Sequence, residues 1–194
     1  MRTQSRTLTY YIGVSIDGYI AGPGDEFDFF AIEPDLTAAM NEIRPETVPT
    51  RFREMIGTAG VPNRSYDTVL MGRKTYEMGV PDGDYSPYQS LDQYVISSKP
   101  APEQAEGVTF TDADPIALVR ELKAQPGLGI WLCGGGRLAG ALAPEIDEIV
   151  IKRHPVIVGK GVPMFDGAFD PTPYALVENL TFDSGESVQT YRKS

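Results

Sequence analysis

Gly129-Ile130-Trp131-Leu132-Cys133-Gly134-Gly135-Gly136-Arg137-Leu138-Ala139-Gly140 is a short apolar run that ends in three glycines and resumes as small and apolar residues at helical spacing. That pattern predicts a buried strand turning directly into a helix. Glycines bring the backbone close to whatever sits at the turn, and free N–H groups of the first helical turn suit an anion such as a phosphate. A tight strand-to-helix connection needs glycine for steric reasons as well. The rest of the chain has to separate the two readings.

The chain of 194 residues carries 41% apolar and 23% charged residues, as expected of one globular domain spanning residues 1–194. No run approaches the roughly 18 to 20 apolar residues of a membrane span. Met1-Arg2-Thr3-Gln4-Ser5-Arg6 lacks the apolar core and cleavage site of a signal peptide, so a cytoplasmic location is expected. A net charge of −10 argues against nucleic acid or an anionic membrane as partner and leaves a small molecule. One cysteine, Cys133, and one histidine, His154, exclude a disulfide framework and a metal site built on those ligands. Cys133 is expected to pack, and His154 to be a surface or structural residue.

Taken in order, Leu8 to Val14 reads as a strand that enters Ser15-Ile16-Asp17-Gly18-Tyr19-Ile20-Ala21-Gly22. Asp17 is either a turn-former or an acid held beside a cleft, orienting a substrate or relaying a proton. Asp28-Phe29-Phe30 and Leu36 to Met40 predict a helix up to Pro45. Val48 to Ile56 predicts a second, with Phe52, Met55 and Ile56 facing the core. Asp67 to Met71 is a short strand that breaks into Gly72-Arg73-Lys74-Thr75-Tyr76-Glu77, where cations and a hydroxyl in the first helical turn suit a phosphate. Gln93 to Ile96 is another strand, ending in Ser97-Ser98-Lys99-Pro100. After a shorter strand at 108–110, Asp114 as N-cap and Pro115 at the first helical position open a helix whose Ile116, Val119 and Leu122 face inward. Ile146 to Ile151 reads as a strand, and Tyr174 to Phe182 with Ser187 to Tyr191 flank a hairpin turn at Asp183-Ser184-Gly185.

Strands alternating with helices and then a hairpin imply an α/β three-layer αβα sandwich, with a mainly parallel mixed sheet and a C-terminal antiparallel hairpin. In such sheets ligands bind beyond the carboxyl ends of the strands. The turns after Met71, Ile96 and Cys133 all carry anion-friendly chemistry at such an end. Their agreement favours a phosphate-bearing cofactor over three merely structural turns.

The ordered set Ser15 to Ala21, Val69 to Glu77, Val95 to Lys99, Trp131 to Gly136 and Pro155 to Phe165 resembles the dihydrofolate reductase-like fold. Within it, the set is similar to the reductase domain of riboflavin biosynthesis, the RibD C-terminal-like family. The resemblance covers nearly the whole chain. It implies an NADPH-dependent oxidoreductase acting on a small heterocyclic or carbonyl substrate, and a homodimer. It also implies that Gly72, Arg73, Lys74 and Thr75 hold cofactor phosphates, with Ser97, Ser98 and Lys99 near the adenosine 2′-phosphate. Gly134, Gly135, Gly136, Arg137 and Leu138 would cradle the pyrophosphate, and Ile20 and Ala21 would lie by the nicotinamide and its ribose. The substrate side carries over less well, because Asp28, Glu33, Asp35 and Glu54 all compete for the carboxylate that orients a pterin. A true dihydrofolate reductase and a non-catalytic nucleotide-binding module are the competing readings.

Overall fold

The computed structural model describes residues 5–80 and 83–194. Strand β1 (Leu8–Val14) is central because both of its faces are apolar. Leu8 and Tyr10 point to one side and Tyr11 to the other, as a strand buried by two layers requires. The sheet order is β5 (Val108–Thr111), β4 (Asp92–Ile96), β3 (Tyr66–Gly72), β6 (Gly129–Gly134), β1, β7 (Glu148–Arg153), β10 (Ser187–Lys193) and β9 (Tyr174–Thr181). The first six strands run parallel, and β10 joins β7 antiparallel to close the sheet with the hairpin. This is the dihydrofolate reductase-like α/β architecture expected from the sequence.

Helices α1 (Pro34–Ile43) and α3 (Arg73–Gly79) cover one face, over Tyr11, Val69, Met71, Val95, Trp131 and Val150. Helices α4 (Pro115–Ala124) and α5 (Gly136–Leu142) cover the other, over Leu8, Tyr10, Leu70, Ile130 and Leu132. In α4 the expected cap forms: Asp114 Oδ1 accepts the Ala117 N–H at 2.8 Å, with Val119 and Leu122 buried.

The stretch 27–60 departs from the pattern reading. Phe27 to Phe30 forms a turn, and α1 starts only at Pro34, which is suited to a first helical position. The second helix shrinks to α2 (Thr50–Arg53), and its inside and outside are exchanged. Phe52 is 40% and Met55 77% exposed, while Arg53 is buried. The Arg53 guanidinium donates to the carbonyls of Thr58 and Val61 and to Ser90 Oγ, and those bonds hold the loop that follows. A charged group satisfied this fully takes the inner position that apolar spacing alone would give to Phe52.

A second, two-stranded sheet pairs β2 (Tyr19–Ala21) with β8 (Val162–Pro163) over the end of β6. Its closeness depends on three glycines. A Cβ at Gly136 would overlap the Pro163 carbonyl, one at Gly140 the Asp166 carbonyl, and one at Gly161 the Ala21 carbonyl. Gly140→Ala is therefore expected to lower stability by about 1–3 kcal/mol, read as a shifted urea midpoint with unchanged slope.

Candidate functional site

The carboxyl ends of β4, β3, β6 and β1 lie side by side, since Gly72 pairs with Ile96, Met71 with Gly134, and Tyr10 with Leu132. Three turns far apart in sequence are thereby assembled. The Cβ position of Gly72 is 3.7 Å from Gly134 O and from Gly135 N, and that of Gly135 is 3.4 Å from Thr75 Oγ1. The peptide between Gly134 and Gly135 is cis. Helices α3 and α5 have seven residues each, so their dipoles are short, and anion affinity here falls mainly to side chains.

Arg73 carries the 72–75 turn to the 97–100 turn. Its guanidinium donates to Glu77 Oε1 at 2.6 Å and to the Pro100 carbonyl at 2.9 Å, and lies 5.3 Å from the Phe110 ring centroid. The Ser97 hydroxyl is folded back on Lys99, donating to its carbonyl at 3.1 Å and accepting its N–H at 3.0 Å, which leaves Ser98 and Lys99 exposed. Lys74 pairs with Asp25 at 2.7 Å and draws the loop after β2 toward the start of α3. Arg137 is exposed and has no ion pair among the described residues. Leu138 and Ile20 are half-buried, and Ala21 and Gly136 are buried. Gly136 is spent on the approach to Pro163, so the steric reading of the triple glycine holds at that position.

Asp17 is exposed and forms a clamp. Its Oδ1 accepts from the Ser15 hydroxyl at 2.7 Å and the Val158 N–H at 3.1 Å, and its Oδ2 from the Gly159 N–H at 2.7 Å. The Ser15 hydroxyl, helped by the two amides, holds its pKa down at about 2 against the opposing effect of desolvation. Near neutrality such a group is an anion with no proton to give.

On the α1 side, Tyr11, Gly13, Cys133, Lys152 and His154 share the sheet face beyond the apolar core. Burial pushes the Cys133 thiol up to about 12, so it stays protonated. His154 Nδ1 lies 2.5 Å from Glu186 Oε1. Burial, with Lys152 adding to it, lowers His154 to about 4, so the imidazole is neutral at neutral pH; burial, with the Glu33 and Asp35 charges, raises the Glu186 carboxyl against the opposing pull of Lys152. Phe30 packs on the imidazole at 4.5 Å between centroids. His154 Nδ1, Ser184 Oγ and both Glu186 carboxylate oxygens are buried without a hydrogen-bond partner among the described residues. His154 is thus a buried residue rather than a surface one. Of the four competing carboxylates, Asp35 accepts the N–H groups of Leu36 and Ser184, which outweigh desolvation and lower its pKa.

Lys152 and Glu186 were not singled out in the sequence. The usable signal for Lys152 was a cation on a β7 face that Val150 had already turned inward. No comparable signal marks Glu186, whose burial depends on the hairpin packing against β7. Two grooves of about 720 and 490 Å³, one around Arg6, Arg44 and Glu148 and one around Tyr85, Gln93 and Gly107, lie at the amino ends of the strands, away from this cleft. Among the described residues no cluster of His, Cys, Asp and Glu could hold a metal, and no helix is long and apolar enough to cross a membrane.

The Asp17 clamp has a pH signature. Its stabilisation is complete above the ordinary value of 3.8 and is lost as pH falls through about 2, where the folded form takes up the proton. Urea midpoints of wild type and Asp17→Asn are expected to differ most near neutrality, with the gap closing across that acid window.

Residues 6–189 match the model of the RibD C-terminal domain. The uncharacterized protein YwjB of Bacillus subtilis (strain 168) is 31% identical over 96% of this chain and 97% of its own length. In structure, the chain resembles a Shewanella sp. PV-4 protein whose name assigns it provisionally to riboflavin biosynthesis, with TM-score 0.68 and 23% identity over 97% of this chain and 99% of that one. It also resembles the diaminohydroxyphosphoribosylaminopyrimidine deaminase/5-amino-6-(5-phosphoribosylamino)uracil reductase of Thermotoga maritima, with TM-score 0.65 and 13% identity over 98% of this chain, and it spans 57% of that longer protein. A match over almost the full length, on a fold that brings the expected turns together, places this chain in the RibD C-terminal domain family.

Proposed function

We propose that this chain is an NADPH-dependent reductase that transfers a hydride to a small heterocyclic or carbonyl acceptor. The observation that carries the reading is the approach of Gly72 to Gly134 and Gly135 together with its pairing to Ile96, which brings three anion-friendly turns onto one floor. The residues fit such a cofactor because no side chain stands between the two backbones there, while Arg73, Lys74, Thr75 and Arg137 supply charge and a hydroxyl around the opening. In this reading Gly72, Arg73, Lys74 and Thr75 take cofactor phosphates, and Ser97, Ser98 and Lys99 the 2′-phosphate. Gly134, Gly135, Gly136, Arg137 and Leu138 take the pyrophosphate, with Ile20 and Ala21 beside the nicotinamide and its ribose.

NADPH, when bound, supplies the hydride. The protein's part is to position and to exclude water. Asp17 enters as a positioning residue: its clamp from the β1 turn to Val158 and Gly159 sets the segment that continues into Ile20 and Ala21. Activity belongs with a cytoplasmic small-molecule enzyme.

Titrations of NADPH and NADH followed by intrinsic fluorescence test this reading. Lys99→Ala is expected to weaken NADPH by about tenfold or more and NADH by no more than about twofold, as loss of a charge-assisted contact to the 2′-phosphate implies, whereas Arg73→Ala should weaken both. An equal loss for both in Lys99→Ala would remove Lys99 from the 2′-phosphate, and no binding of either cofactor to wild type would end the reductase reading.

The same proposal includes a homodimer. Edge strand β9 exposes Leu176 and Val177, at 52% and 48%, after a fully open Phe169 at 96%. Light scattering is expected to give twice the 21.2 kDa chain mass, and Leu176→Glu to shift it toward the single chain.

A further inference from the structure

The groove of about 720 Å³ at the amino ends of the strands is an electrostatic exception in a chain of net charge −10. Arg6, Arg44, Arg192 and Lys193 line it against two carboxylates, Asp147 and Glu148. Both carboxylates are already engaged. Asp147 Oδ2 pairs with Lys123 at 2.7 Å and accepts the Leu8 N–H at 2.8 Å, while Glu148 takes Arg192 at 3.0 Å and the Thr9 hydroxyl at 3.3 Å. Arg6 is closed off by Asp67. Arg44 and Lys193 are left without an ion pair among the described residues.

Arg44 is held in place. It is the C-cap residue of α1, its Nε–H donates to the Tyr66 hydroxyl at 3.1 Å, and its guanidinium carbon lies 5.3 Å from the Tyr11 ring centroid and 6.0 Å from that of Tyr66. Both rings are buried and pack on Trp131, so the shelf beneath the guanidinium is fixed. Burial pushes the Tyr66 phenol up to about 12 against the pull of Arg44, so it meets Arg44 as a neutral acceptor and leaves the charge uncancelled. With Nε spent, the remaining edge of the guanidinium is the pair of Nη groups, neither of which donates a hydrogen bond among the described residues. Two parallel N–H bonds from such an edge match an oxyanion, and a guanidinium already held loses little freedom in making them.

We propose that this groove is a second ligand site, separate from the carboxyl-end cleft, and that it takes a small phosphate-bearing anion on the Nη edge of Arg44. Lys193, whose Nζ donates to the Pro144 carbonyl at 2.6 Å, supplies a second cation at the rim. Ser5 and Ser65 donate to the Lys123 and Ile43 carbonyls only at 3.4 Å, bonds weak enough to be exchanged for a ligand oxygen. A tetrahedral anion accepts from guanidinium, ammonium and hydroxyl in different directions, which a planar carboxylate does less well. Side chains carry the site, because the nearby amides of Arg64, Ser65 and Tyr66 are taken by Glu46. Strand β1 has seven residues, so groove and cleft lie roughly 20 Å apart at opposite ends of the sheet. The site stands independently of the reductase reading.

Pyrophosphate is the probe, titrated at low ionic strength into protein labelled with 15N-glycine. Gly127 and Gly129 line the groove, and Gly134 and Gly135 lie at the cleft, so their amide signals report location and affinity for each place separately. Wild type is compared with Arg44→Met, Arg44→Lys and Glu148→Gln. Arg120→Met removes an equal charge outside the groove, from the α4 surface. Each titration is repeated with NADPH.

Pyrophosphate is expected to move the Gly127 and Gly129 signals of wild type, with affinity at that place about tenfold or more lower in Arg44→Met. Arg44→Lys should lose several-fold, since an ammonium replaces the fork, and Arg120→Met should stay within about twofold. Glu148→Gln removes a negative charge from the groove and should tighten binding several-fold. Equal affinity in Arg44→Met, movement at Gly134 and Gly135 alone, or no movement at Gly127 and Gly129 at about a millimolar would each overturn the proposal. Should Arg44→Met give an unfolded spectrum, Glu148→Gln decides, and affinity unchanged or weakened there overturns it. Binding at Gly127 and Gly129 by a protein that ignores NADPH would uphold this site and remove the reductase reading. NADPH binding with those two glycines unmoved by pyrophosphate would do the reverse.

Discussion

Three places where backbone meets backbone with nothing between them hold this molecule in its working shape. Helix α5 lies directly on the 163–166 segment at Gly136 and Gly140, and Gly161 lies directly on Ala21. Contacts this close leave the small β2–β8 sheet one position relative to the end of β6. The segment bearing Ile20 and Ala21 is thereby fixed across from the Gly134–Gly135 turn. The Asp17 clamp adds polar direction to an arrangement that sterics already confine. Dense packing of this kind is discrete: a methyl group too many moves the whole segment, not one atom.

Charge is distributed in a complementary way. The chain as a whole repels anions, yet its carboxyl-end turns gather Arg73, Lys74, Lys99 and Arg137. Two of these are tethered, Arg73 to Glu77 and Pro100 and Lys74 to Asp25. Tethering costs some strength toward an incoming anion but sets direction, since a held guanidinium loses less freedom on binding. At the other end of the cleft burial keeps Cys133 protonated and His154 neutral, so the positive charge on that face comes from Lys152 and Arg44, both against the Tyr11 ring.

The turns that line the cleft were legible because each relevant strand is short, apolar and punctuated by glycine or by Ser-Ser-Lys. Those signals are local, and the parallel register then aligns them. The α4 cap was legible for the same reason. What could not be read depends on partners remote in sequence. Glu46 is fully buried, accepting the amides of Arg64, Ser65 and Tyr66, and nothing near it in sequence announces that role. Arg53 inverted its helix by satisfying carbonyls up to eight residues on. His154 and Glu186 meet only because the last hairpin folds back on β7. Periodicity describes one element at a time, and these residues answer to two or three.

The strand order also bears on how the chain reaches its native state. Strand β1 lies inside the sheet, yet its two neighbours begin only at Gly129 and Glu148. Until those strands have been synthesised, Leu8–Val14 has no flanking partner, while β3 and β4 can already pair with each other. Assembly therefore waits for long-range closure, and an apolar segment stays open at both edges during translation. Such a topology folds slowly for its size, and its exposed intermediate is the one with Leu8–Val14 still unpaired.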